Sequence, residues 1–531
     1  MVTQEAAGGD GGRLFTLGEL LTRAVDPPGV GIGPDWGAIR IRQITDDSRE
    51  VLPGACFAAF QGTRADGARF IADAVARGAL AILTDRDCDV PSPAVRIRVA
   101  DVRRVAARMA ALHYGLADVN WADSCGSASR RLRVVGVTGT NGKSTTCFLI
   151  QAILRAAGEP TALLGTIQYD LLSERVDAPM TTPPTNRLTD YLMRAFRAGA
   201  THAVMETSSH ALDQRRTDGI RFDVGVFTNL TGDHMDYHKT VEAYRRAKRR
   251  LFDLLDRDAT GVVNLDDPAG GSMLESCAGR KVRFGLNTKA DLFARIRSID
   301  ASGTSLDMVC EGRCVPMRIR LVGRHNVQNA LAAAAAARAL RVDWDPIVRG
   351  LESVESVRGR LERVKPPNGV DVPFTVLVDY AHTDDALENV LGALRPLTDR
   401  QLIVLFGCGG DRDRSKRPRM ARVAERWADR IVVTSDNPRS ERPDDIIEEI
   451  LAGLSVQARG KVVVQADRKL AIGEALASAE RGDVVLLAGK GHETYQDFGD
   501  HRVHFDDAEV AAAMLAAMKG GVERPGELAR A

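Results

Sequence analysis

The sequence predicts an α/β protein with two parallel sheets, the second of them doubly wound, and a smaller α/β domain ahead of both. Three observations predict this class. The 531 residues are enough for about three to four domains. Short apolar runs alternate with amphipathic stretches through the middle and last thirds of the chain, which is typical of parallel α/β sheets. Polar and glycine-rich segments follow the apolar runs, where open α/β sheets bind their ligands.

The composition excludes several classes of protein. Lys and Arg total 72 and Asp and Glu total 71, a net charge of +1, so we expect no nucleic-acid partner, because phosphate binding needs concentrated positive charge. No run approaches about 18 apolar residues, so no membrane insertion is expected. The segment Met1–Arg13 lacks a secretory pattern. The eight cysteines have neither zinc nor disulfide spacing, which predicts reduced thiols in a cytoplasmic protein.

The first block, from about Phe15 to Ala117, alternates strands with helices. A polar stretch without periodicity, Asp118–Arg131, follows and predicts a linker. We therefore expect an amino-terminal domain over 1–119, a linker over 120–131, a central domain over 132–350 and a carboxyl-terminal domain over 351–531. Strand candidates in the first block are Cys56–Phe60, Leu80–Leu83 and Ala94–Val99, with a helix over Asp66–Arg77.

The middle block opens with a strand over Leu132–Val137, a glycine-rich turn and a helix over Lys143–Ala157. Backbone N–H groups at such a turn point at one spot, which makes an anion site. Lys143 adds a charge for the terminal phosphates, and the Ser144 hydroxyl can bind Mg²⁺. The alternative, a structural glycine turn, does not explain why all these features occur in order. The predicted ATP-binding residues are Gly139, Thr140, Asn141, Gly142, Lys143, Ser144 and Thr145.

Two polar residues follow the next strands of this block. Glu206 ends the strand over Ala203–Met205, and His234 comes after the strand over Val224–Phe227. Both can reach a Mg²⁺ ion held by nucleotide phosphates. A helix-capping carboxylate and a hydrogen-bonded histidine are the structural alternatives. The pair His234 and His238 lacks a third ligand for zinc. A further strand is expected at Gly261–Asn264, and helices at Arg187–Ala198 and Val241–Asp256.

The last block repeats the pattern in a Rossmann-like, doubly wound order. Its polar loops should meet at the carboxyl edge of the sheet, which favours a ligand site there. The loops are Asp379, Gly407–Asp411, Asp436–Arg439 and Gly489–Glu493. The chain should end in a frayed tail, Gly520–Ala531. The strand candidates are Thr375–Val378, Leu402–Phe406, Ile431–Thr434, Lys461–Val464 and Val484–Leu487.

Together these motifs resemble the Mur ligase family of ATP-dependent amide-forming enzymes, from about Thr45 to Asp497. The resemblance implies three domains: one for a UDP-sugar, a central ATPase and a Rossmann-like carboxyl-terminal domain. The motifs that carry it are TDDSREVLPGACFAAFQG, GVTGTNGKSTT, TTPPTNRL, METSSHALDQRR, FTNLTGDHMDYHKT, the AK of AYRRAKRRLF, GRHNVQNALAA, GRLE, DYAHTDDAL, GCGGDRDRSKRP, SDNPRSE and GKGHETYQ.

The resemblance also implies roles for single residues. Lys143, Lys248 and His234 would be catalytic, and Lys248 would carry a carbamate. From the residues alone, Lys248 belongs to a basic run that could be a solvated helix face. The implied metal ligands are Ser144, Glu206, His234 and carbamylated Lys248; adenosine would bind at Asn329, Arg360, Asp379 and His382; the UDP-sugar dipeptide at Ser48, Thr181, Thr182, Ser208, Gln214 and Arg216; and the amino acid at Arg412, Asp436, Asn437, Arg439, Gly489 and Glu493.

The implied reaction uses ATP and Mg²⁺ to join meso-2,6-diaminopimelate to UDP-N-acetylmuramoyl-L-alanyl-D-glutamate through an acyl phosphate, in peptidoglycan precursor synthesis. The protein would thereby serve cell-wall biogenesis, cell shape and cell division, as a monomer. Arg439 would bind the distal carboxylate that lysine lacks; in an isolated sequence it could instead pair with Glu441. An L-lysine-adding ligase, a folylpolyglutamate synthetase and a P-loop nucleotide switch without ligase activity are the competing interpretations.

Overall fold

The computed structural model describes residues 15–25, 36–62, 65–121, 130–300, 302–365 and 372–518. Three predictions lie outside the described residues: the absence of a secretory pattern in Met1–Arg13, the tail Gly520–Ala531 and most of the linker 120–131. The first linker residues are not a free connection. They belong to the helix Leu116–Asn120, where buried Asn120 donates to the carbonyl of Leu132 (3.1 Å) and accepts from the backbone N–H of Arg221 (2.7 Å).

A four-stranded parallel sheet, in the order β3-β4-β5-β6, forms the first unit. The three predicted strands are confirmed; the predicted helix begins as a 3₁₀ turn, Gly67–Phe70, before α2. The strands are β1 (Phe15–Thr16), β2 (Arg40–Ile41), β3 (Gln43–Thr45), β4 (Ala55–Ala59), β5 (Ala81–Thr84) and β6 (Val95–Arg98), and the helices are α1 (Leu17–Ala24), α2 (Ile71–Ala76), α3 (Val102–His113) and α4 (Leu116–Asn120).

An eleven-stranded sheet forms the second unit, in the order β10-β9-β8-β11-β7-β12-β13-β14-β15-β16-β17. Strands from β8 through β11, β7, β12, β13 and β14 to β15 pair in parallel, and both ends of the sheet are antiparallel. The strands are β7 (Arg133–Thr138), β8 (Thr161–Leu164), β9 (Tyr169–Asp170), β10 (Arg175–Val176), β11 (His202–Glu206), β12 (Val224–Phe227), β13 (Thr260–Asn264), β14 (Arg280–Gly285), β15 (Leu292–Asp300), β16 (Gly303–Cys310) and β17 (Arg313–Ile319).

Helices cover both faces of this sheet, so every residue of β8, β11, β12 and β13 is buried. The alanine-rich α11 packs on α5 and on several strands; its small side chains allow the close approach. The helices are α5 (Lys143–Ala156), α6 (Thr185–Arg197), α7 (Ser209–Asp213), α8 (Met235–His238), α9 (Val241–Asp253), α10 (Gly270–Met273), α11 (Arg324–Ala339) and α12 (Trp344–Ser353).

The third unit is a doubly wound sheet in the order β18-β19-β23-β20-β21-β22, parallel except for β18. Its two faces carry separate apolar cores. The strands are β18 (Glu362–Arg363), β19 (Thr375–Asp379), β20 (Leu402–Phe406), β21 (Arg430–Val433), β22 (Val462–Val464), β23 (Val484–Ala488) and the hairpin β24 (Tyr495–Asp497) and β25 (Arg502–His504); the helices are α13 (Asp384–Leu394), α14 (Lys416–Trp427), α15 (Pro443–Leu451), α16 (Arg468–Ala477) and α17 (Asp507–Met518).

A search of the described residues for membrane-crossing helices finds none of sufficient length and apolarity.

A fully buried ion pair ties the third sheet together at its carboxyl edge. Arg468 donates through Nε (2.8 Å) and Nη2 (2.6 Å) to the two carboxylate oxygens of Asp507. The same guanidinium donates to the carbonyls of Ser435 (3.3 Å) and Ala488 (3.1 Å). These carbonyls immediately precede two of the predicted ligand loops, so the ion pair fixes where both loops begin.

We expect Arg468→Met to destabilise the protein by about 3–5 kcal/mol, because it leaves the Asp507 carboxylate buried and unpaired. Urea denaturation followed by circular dichroism measures this change. The control is Arg400→Met, which breaks an exposed pair with Glu480 and should cost less than about 1 kcal/mol. Equal losses in both variants would contradict the assignment of a structural role to the buried pair.

Candidate functional site

The glycine-rich loop between β7 and α5 is held rigid by the loop after β12. Thr140 N–H donates to the Asn229 carbonyl (2.9 Å), and Asn141 N–H donates to Asn229 Oδ1 (2.9 Å). Thr228 Oγ1 donates to the Asn141 carbonyl (2.6 Å). A side chain at Gly142, where φ is 83°, would meet Asn329 Oδ1 at 2.3 Å, so only glycine fits. The free N–H groups that begin α5 therefore form a fixed anion site.

Two lysines, half-buried Lys143 and buried Lys248, share the carbonyl oxygen of Gly139 in this loop. Lys143 Nζ donates to it at 3.0 Å and to the Thr140 carbonyl at 2.8 Å, while Lys248 Nζ donates at 2.7 Å. Lys248 is 1% exposed and lies 4.2 Å from the centroid of the Tyr244 ring. The interpretation of Lys248 as part of a solvated helix face is therefore wrong.

Burial lowers the pKa of both ammonium groups. For Lys143, Arg360 acts in the same direction, although Glu206 partly opposes it. For Lys248, the charge of Lys143 adds to burial and places the pKa well below its ordinary range. The loop thus concentrates positive charge in a desolvated place, where an anionic ligand is favoured.

Glu206 lies buried beside the loop at the end of β11. Its Oε1 accepts from Ser144 Oγ (2.8 Å) and from Thr166 N–H (2.7 Å), and its Oε2 accepts from Thr166 Oγ1 (3.1 Å). The capping role suggested for Glu206 belongs to Ser208, whose hydroxyl accepts from Ala211 N–H at the start of α7. Glu206 therefore does not cap a helix, and its carboxylate accepts a hydrogen bond from the Ser144 hydroxyl.

His234 faces the same region in a left-handed backbone conformation (φ 57°). Its ring lies 4.8 Å from that of His210, and its Nε2 lies 3.4 Å from Asp233 Oδ2. Partial burial lowers the pKa of His234, whose side chain is still 43% exposed, so the imidazole is mostly neutral at neutral pH and keeps a lone pair for a metal ion. Asp233, beside it, was not among the predicted residues.

No group of three or more His, Cys, Asp and Glu side chains in the described parts of the chain could hold a metal ion unaided. The donor set near the loop comprises the Ser144 hydroxyl, the Glu206 carboxylate and the neutral imidazole of His234. Such a set fits Mg²⁺, which takes few protein ligands and completes its shell with phosphate oxygens and water.

A cavity extends from the loop toward the third sheet. Seven predicted residues line it, together with Phe284, His325 and Asp385, which sequence reasoning missed. Half-buried His382 does not line it; its Nδ1 lies 2.9 Å from the Tyr380 carbonyl. The predicted lining residues are Asn141, Gly142, Ser144, Thr145, Asn329, Arg360 and Asp379.

Two contacts join the loop to the third unit across this cavity. Asn141 Nδ2 donates to Asp385 Oδ2 at 2.7 Å. Arg360 Nη2 lies 3.4 Å from Ser144 Oγ, and its guanidinium lies over the Tyr380 ring at 4.8 Å. The carboxyl edge of the third sheet thus faces the loop.

A second cavity lies between the first and second units. Gln214 and Arg216 line it, as predicted, and Asp46, Arg103 and Arg187 also line it without having been predicted. Arg216 donates to Gln214 Oε1 at 2.6 Å.

The other predicted residues of this group lie behind the second cavity. Ser48 is buried in the turn Ser48–Glu50. Thr182 Oγ1 donates to the Glu206 carbonyl (2.8 Å), and Thr181 Oγ1 lies 3.1 Å from Thr166 Oγ1, whose hydrogen is directed to Glu206. Arg216 donates to the Thr182 carbonyl (3.0 Å). Thr182 therefore connects Arg216, which lines the second cavity, to the backbone of Glu206, and Thr181 reaches the Glu206 carboxylate only through Thr166.

The loops after β21 and β23 form a pocket of alternating charges. Asn437 Nδ2 donates to Glu493 Oε2 at 2.8 Å. Buried Asp436 keeps one carboxylate oxygen without a hydrogen-bond donor among the described residues. Gly489 has a φ of 113°, and a Cβ atom at this position would lie 3.8 Å from Asp436 Oδ2. Burial, reinforced by Asp436, raises the pKa of Glu493.

Arg439 borders this pocket, whereas Arg412 lines a separate cavity with Gly232, Asp236 and Asp384. Half-buried Arg439 donates to the Gly410 carbonyl at 2.6 Å, and exposed Arg412 lies beside Gly409. The suggested pair of Arg439 with Glu441 is wrong, because Glu441 binds buried Arg417 at 2.8 Å instead. The guanidinium of Arg439 therefore has donors left for a ligand.

We expect Asp379→Asn to change how stability depends on pH. Burial raises the pKa of Asp379 to about 6, so the wild type loses stability as the pH rises from about 4 through 6, by about 3 kcal/mol in all. Asparagine does not ionise, so the variant should not lose this stability. The difference in free energy of unfolding, variant minus wild type, should therefore increase over this pH range. Urea titrations between pH 4.5 and 7.5 measure the difference; a constant difference would contradict the assignment.

Comparison with known proteins gives family matches over most of the chain. Residues 40–114 match the Mur ligase family, catalytic domain. Residues 137–337 match the Mur ligase middle domain, and residues 359–491 match the Mur ligase glutamate ligase domain. The three matches fall on the three units of the fold.

Individual relatives match along nearly the full length. A UDP-N-acetylmuramoyl-L-alanyl-D-glutamate–2,6-diaminopimelate ligase of Geobacter metallireducens is 42% identical, covering 93% of this chain and 97% of its own. The ligase of the same name from Bacillus licheniformis is 40% identical, covering 90% and 95%. A solved structure of a ligase with this name superposes with a TM-score of 0.67 at 31% identity, covering 96% of this chain and all of its own.

A MurF ligase from Thermotoga maritima in complex with ADP is similar in fold only, with a TM-score of 0.59 at 19% identity, covering 90% of this chain and 97% of its own.

Proposed function

Because the chain belongs to the Mur ligase family of ATP-dependent amide-forming enzymes, we propose that it joins meso-2,6-diaminopimelate to the D-glutamate of UDP-N-acetylmuramoyl-L-alanyl-D-glutamate. Relatives that carry this activity in their names are about 40% identical over most of the chain. The observation that carries the proposal is the pocket of Asp436, Asn437, Arg439 and Glu493, at a sheet edge that faces a phosphate-binding loop.

ATP would bind with its phosphates at the start of α5. Backbone N–H groups of the loop from Gly139 to Thr145 would hold them, and Lys143 would leave its carbonyl partners to reach the γ-phosphate. The cavity lined by Asn329, Arg360 and Asp379 would hold the adenosine. His382 would act from outside that cavity, where its ring contacts Tyr380.

The UDP-sugar dipeptide would bind in the cavity between the first two units. Arg216 and Gln214 present donors there, and Ser48 would support the turn that forms one wall. Thr181, Thr182 and Ser208 connect this cavity to Glu206 (Thr182 Oγ1 to Ser208 Oγ is 3.3 Å). The D-glutamate carboxylate would therefore arrive beside the terminal phosphate.

The reaction needs two transfers. An oxygen of the D-glutamate carboxylate attacks the γ-phosphorus and ADP leaves, which gives an acyl phosphate. The neutral amine then attacks the carbonyl carbon, inorganic phosphate leaves, and the amine loses a proton. Bringing two anions together demands neutralisation of charge, and Lys143 with Arg360 supplies cations at that position.

Mg²⁺ would supply further neutralisation of the transferring phosphoryl group. Ser144, Glu206 and His234 would hold it. Lys248 is suited to carry a carbamate, because a lysine whose pKa is well below its ordinary range offers a neutral amine to CO₂. That addition releases one proton and converts the neutral amine into an anionic oxygen ligand.

Arg439 would select the amino acid. Its guanidinium would bind the distal carboxylate of diaminopimelate, assisted by Arg412, while Glu493 would bind the distal ammonium near Asp436, Asn437 and Gly489. L-Lysine lacks that carboxylate, so an L-lysine-adding ligase is not favoured. Folylpolyglutamate synthases share the fold at 19% identity, which argues for the fold alone, and a nucleotide switch needs no such pocket.

The enzyme would act in the cytoplasm, as a monomer, on a soluble precursor of peptidoglycan. Cell shape and cell division would depend on its product through the cell wall.

Offering both amino acids in competition tests the proposed function. Product mass analysis of the wild type with ATP and the UDP-dipeptide should show the diaminopimelate adduct almost alone. Arg439→Met should lower kcat/KM for diaminopimelate about 100-fold or more, because a buried charge pair is lost, and should change kcat/KM for lysine far less. A lysine adduct as the main wild-type product would contradict the proposal.

Glu206→Gln should lower kcat at least about 100-fold and raise the Mg²⁺ concentration for half-maximal activity, because the amide binds the cation poorly. Steady-state ADP release over a Mg²⁺ titration measures both. Glu174→Gln is the control, since that exposed carboxylate pairs with Arg194 far from the loop. Unchanged Mg²⁺ dependence in Glu206→Gln would exclude Glu206 as a ligand.

A further inference from the structure

We propose that Lys490, in the loop after β23, is a positioning residue that fixes the orientation of Asn437 and sets the net charge of the amino-acid pocket, and so helps to determine the amino-acid specificity. This inference rests on the proposed function. Lys490 has no part in the roles given above.

Lys490 is a buried cation surrounded by the pocket's own residues. Its side chain is fully buried. Nζ lies 3.1 Å from Asn437 Oδ1, 3.5 Å from Asp436 Oδ1 and 3.6 Å from Glu493 Oε2. A lysine is almost never fully buried unless it is paired, so these three residues are what retains it.

Lys490 fixes which way the Asn437 amide points. Asn437 Oδ1 accepts from Lys490 Nζ and from Asp497 N–H (3.0 Å). Two donors at the oxygen leave Nδ2 to donate to Glu493 Oε2 (2.8 Å). If the lysine is lost, one of the two donors that hold the oxygen is lost, and the amide can turn its oxygen toward the Glu493 carboxylate, which repels it.

Lys490 also balances the pocket's charge. Asp436 and Glu493 contribute two negative charges, and Lys490 and Arg439 contribute two positive charges. Arg468, beneath the pocket, is neutralised by Asp507 at 2.6 Å. The balanced pocket matches an amino-acid end that carries one ammonium and one carboxylate. The side-chain end of lysine carries an ammonium alone and would leave one uncompensated positive charge. Without Lys490 the pocket becomes negative and matches that ammonium.

The test compares two substitutions at this position. Lys490→Met removes both the charge and the donor. Lys490→Gln removes the charge but keeps an N–H donor for Asn437 Oδ1, and so protects folding. The control is Lys461→Met, whose ammonium donates to the carbonyls of Glu425 (2.6 Å) and Ala428 (2.8 Å) in the same unit. For each variant and the wild type, we would measure kcat and KM with diaminopimelate and with lysine. KM for ATP and the melting temperature are measured as well.

We expect both Lys490 variants to lower the ratio of kcat/KM for diaminopimelate over lysine at least about tenfold, since truncating one partner of a buried charge pair is costly. KM for diaminopimelate should rise more in Lys490→Met than in Lys490→Gln, and KM for ATP should stay within about threefold. Lys461→Met should leave the ratio unchanged. A ratio that stays at the wild-type value in both Lys490 variants, or an equal loss with both amino acids, would overturn the inference.

The wild type separates this inference from the proposed function. A wild type that attaches neither amino acid contradicts the proposed function and removes the inference with it. A wild type that prefers diaminopimelate, together with Lys490 variants that keep the same preference, contradicts the inference alone.

Discussion

The convergence of two lysine side chains on the carbonyl oxygen of Gly139 is the constraint on which the rest of the structure depends. Lys143 and Lys248 both donate to the Gly139 carbonyl, and Arg360 reaches Ser144 from the third unit. Burial of like charges is unfavourable unless anions compensate them. Glu206 compensates in part. A bound triphosphate and carboxylate would compensate the remaining positive charge. The cluster of cations that costs stability in the free protein would therefore favour substrate binding.

The three sheets are arranged around this charge. The loop after β7 carries it, Thr182 connects the wall of the cavity between the first two units to Glu206, and the third sheet turns its carboxyl edge toward the loop through Asn141 and Asp385 (2.7 Å). The amino-acid pocket lies at that edge, where Arg468 holds the carbonyls that begin two of its loops. Two separate binding regions therefore face one reacting centre.

Much of this organisation is predictable from the sequence, because buried parallel strands leave continuous apolar runs and their loops collect polar residues. The predicted strands from Cys56 to Leu487 are confirmed within a few residues, as is the loop before Lys143. The antiparallel strands β15, β16 and β17 were not predicted. The half-exposed, arginine-containing alternation of β15 and β17 resembles a polar loop, and β16 lies between them. Lys490 and Asp233 were also missed: the chemistry of a buried charge depends on partners far away in the chain. Domain boundaries and residue roles remain predictions.

Isotope transfer tests the central claim most directly. The UDP-dipeptide is prepared with ¹⁸O in the D-glutamate carboxylate that is joined, and the inorganic phosphate released with diaminopimelate and ATP is analysed by mass spectrometry. If the charged loop activates that carboxylate by phosphoryl transfer, each turnover delivers an ¹⁸O atom to the phosphate. Phosphate released without ¹⁸O, while the amide product forms, would contradict the account.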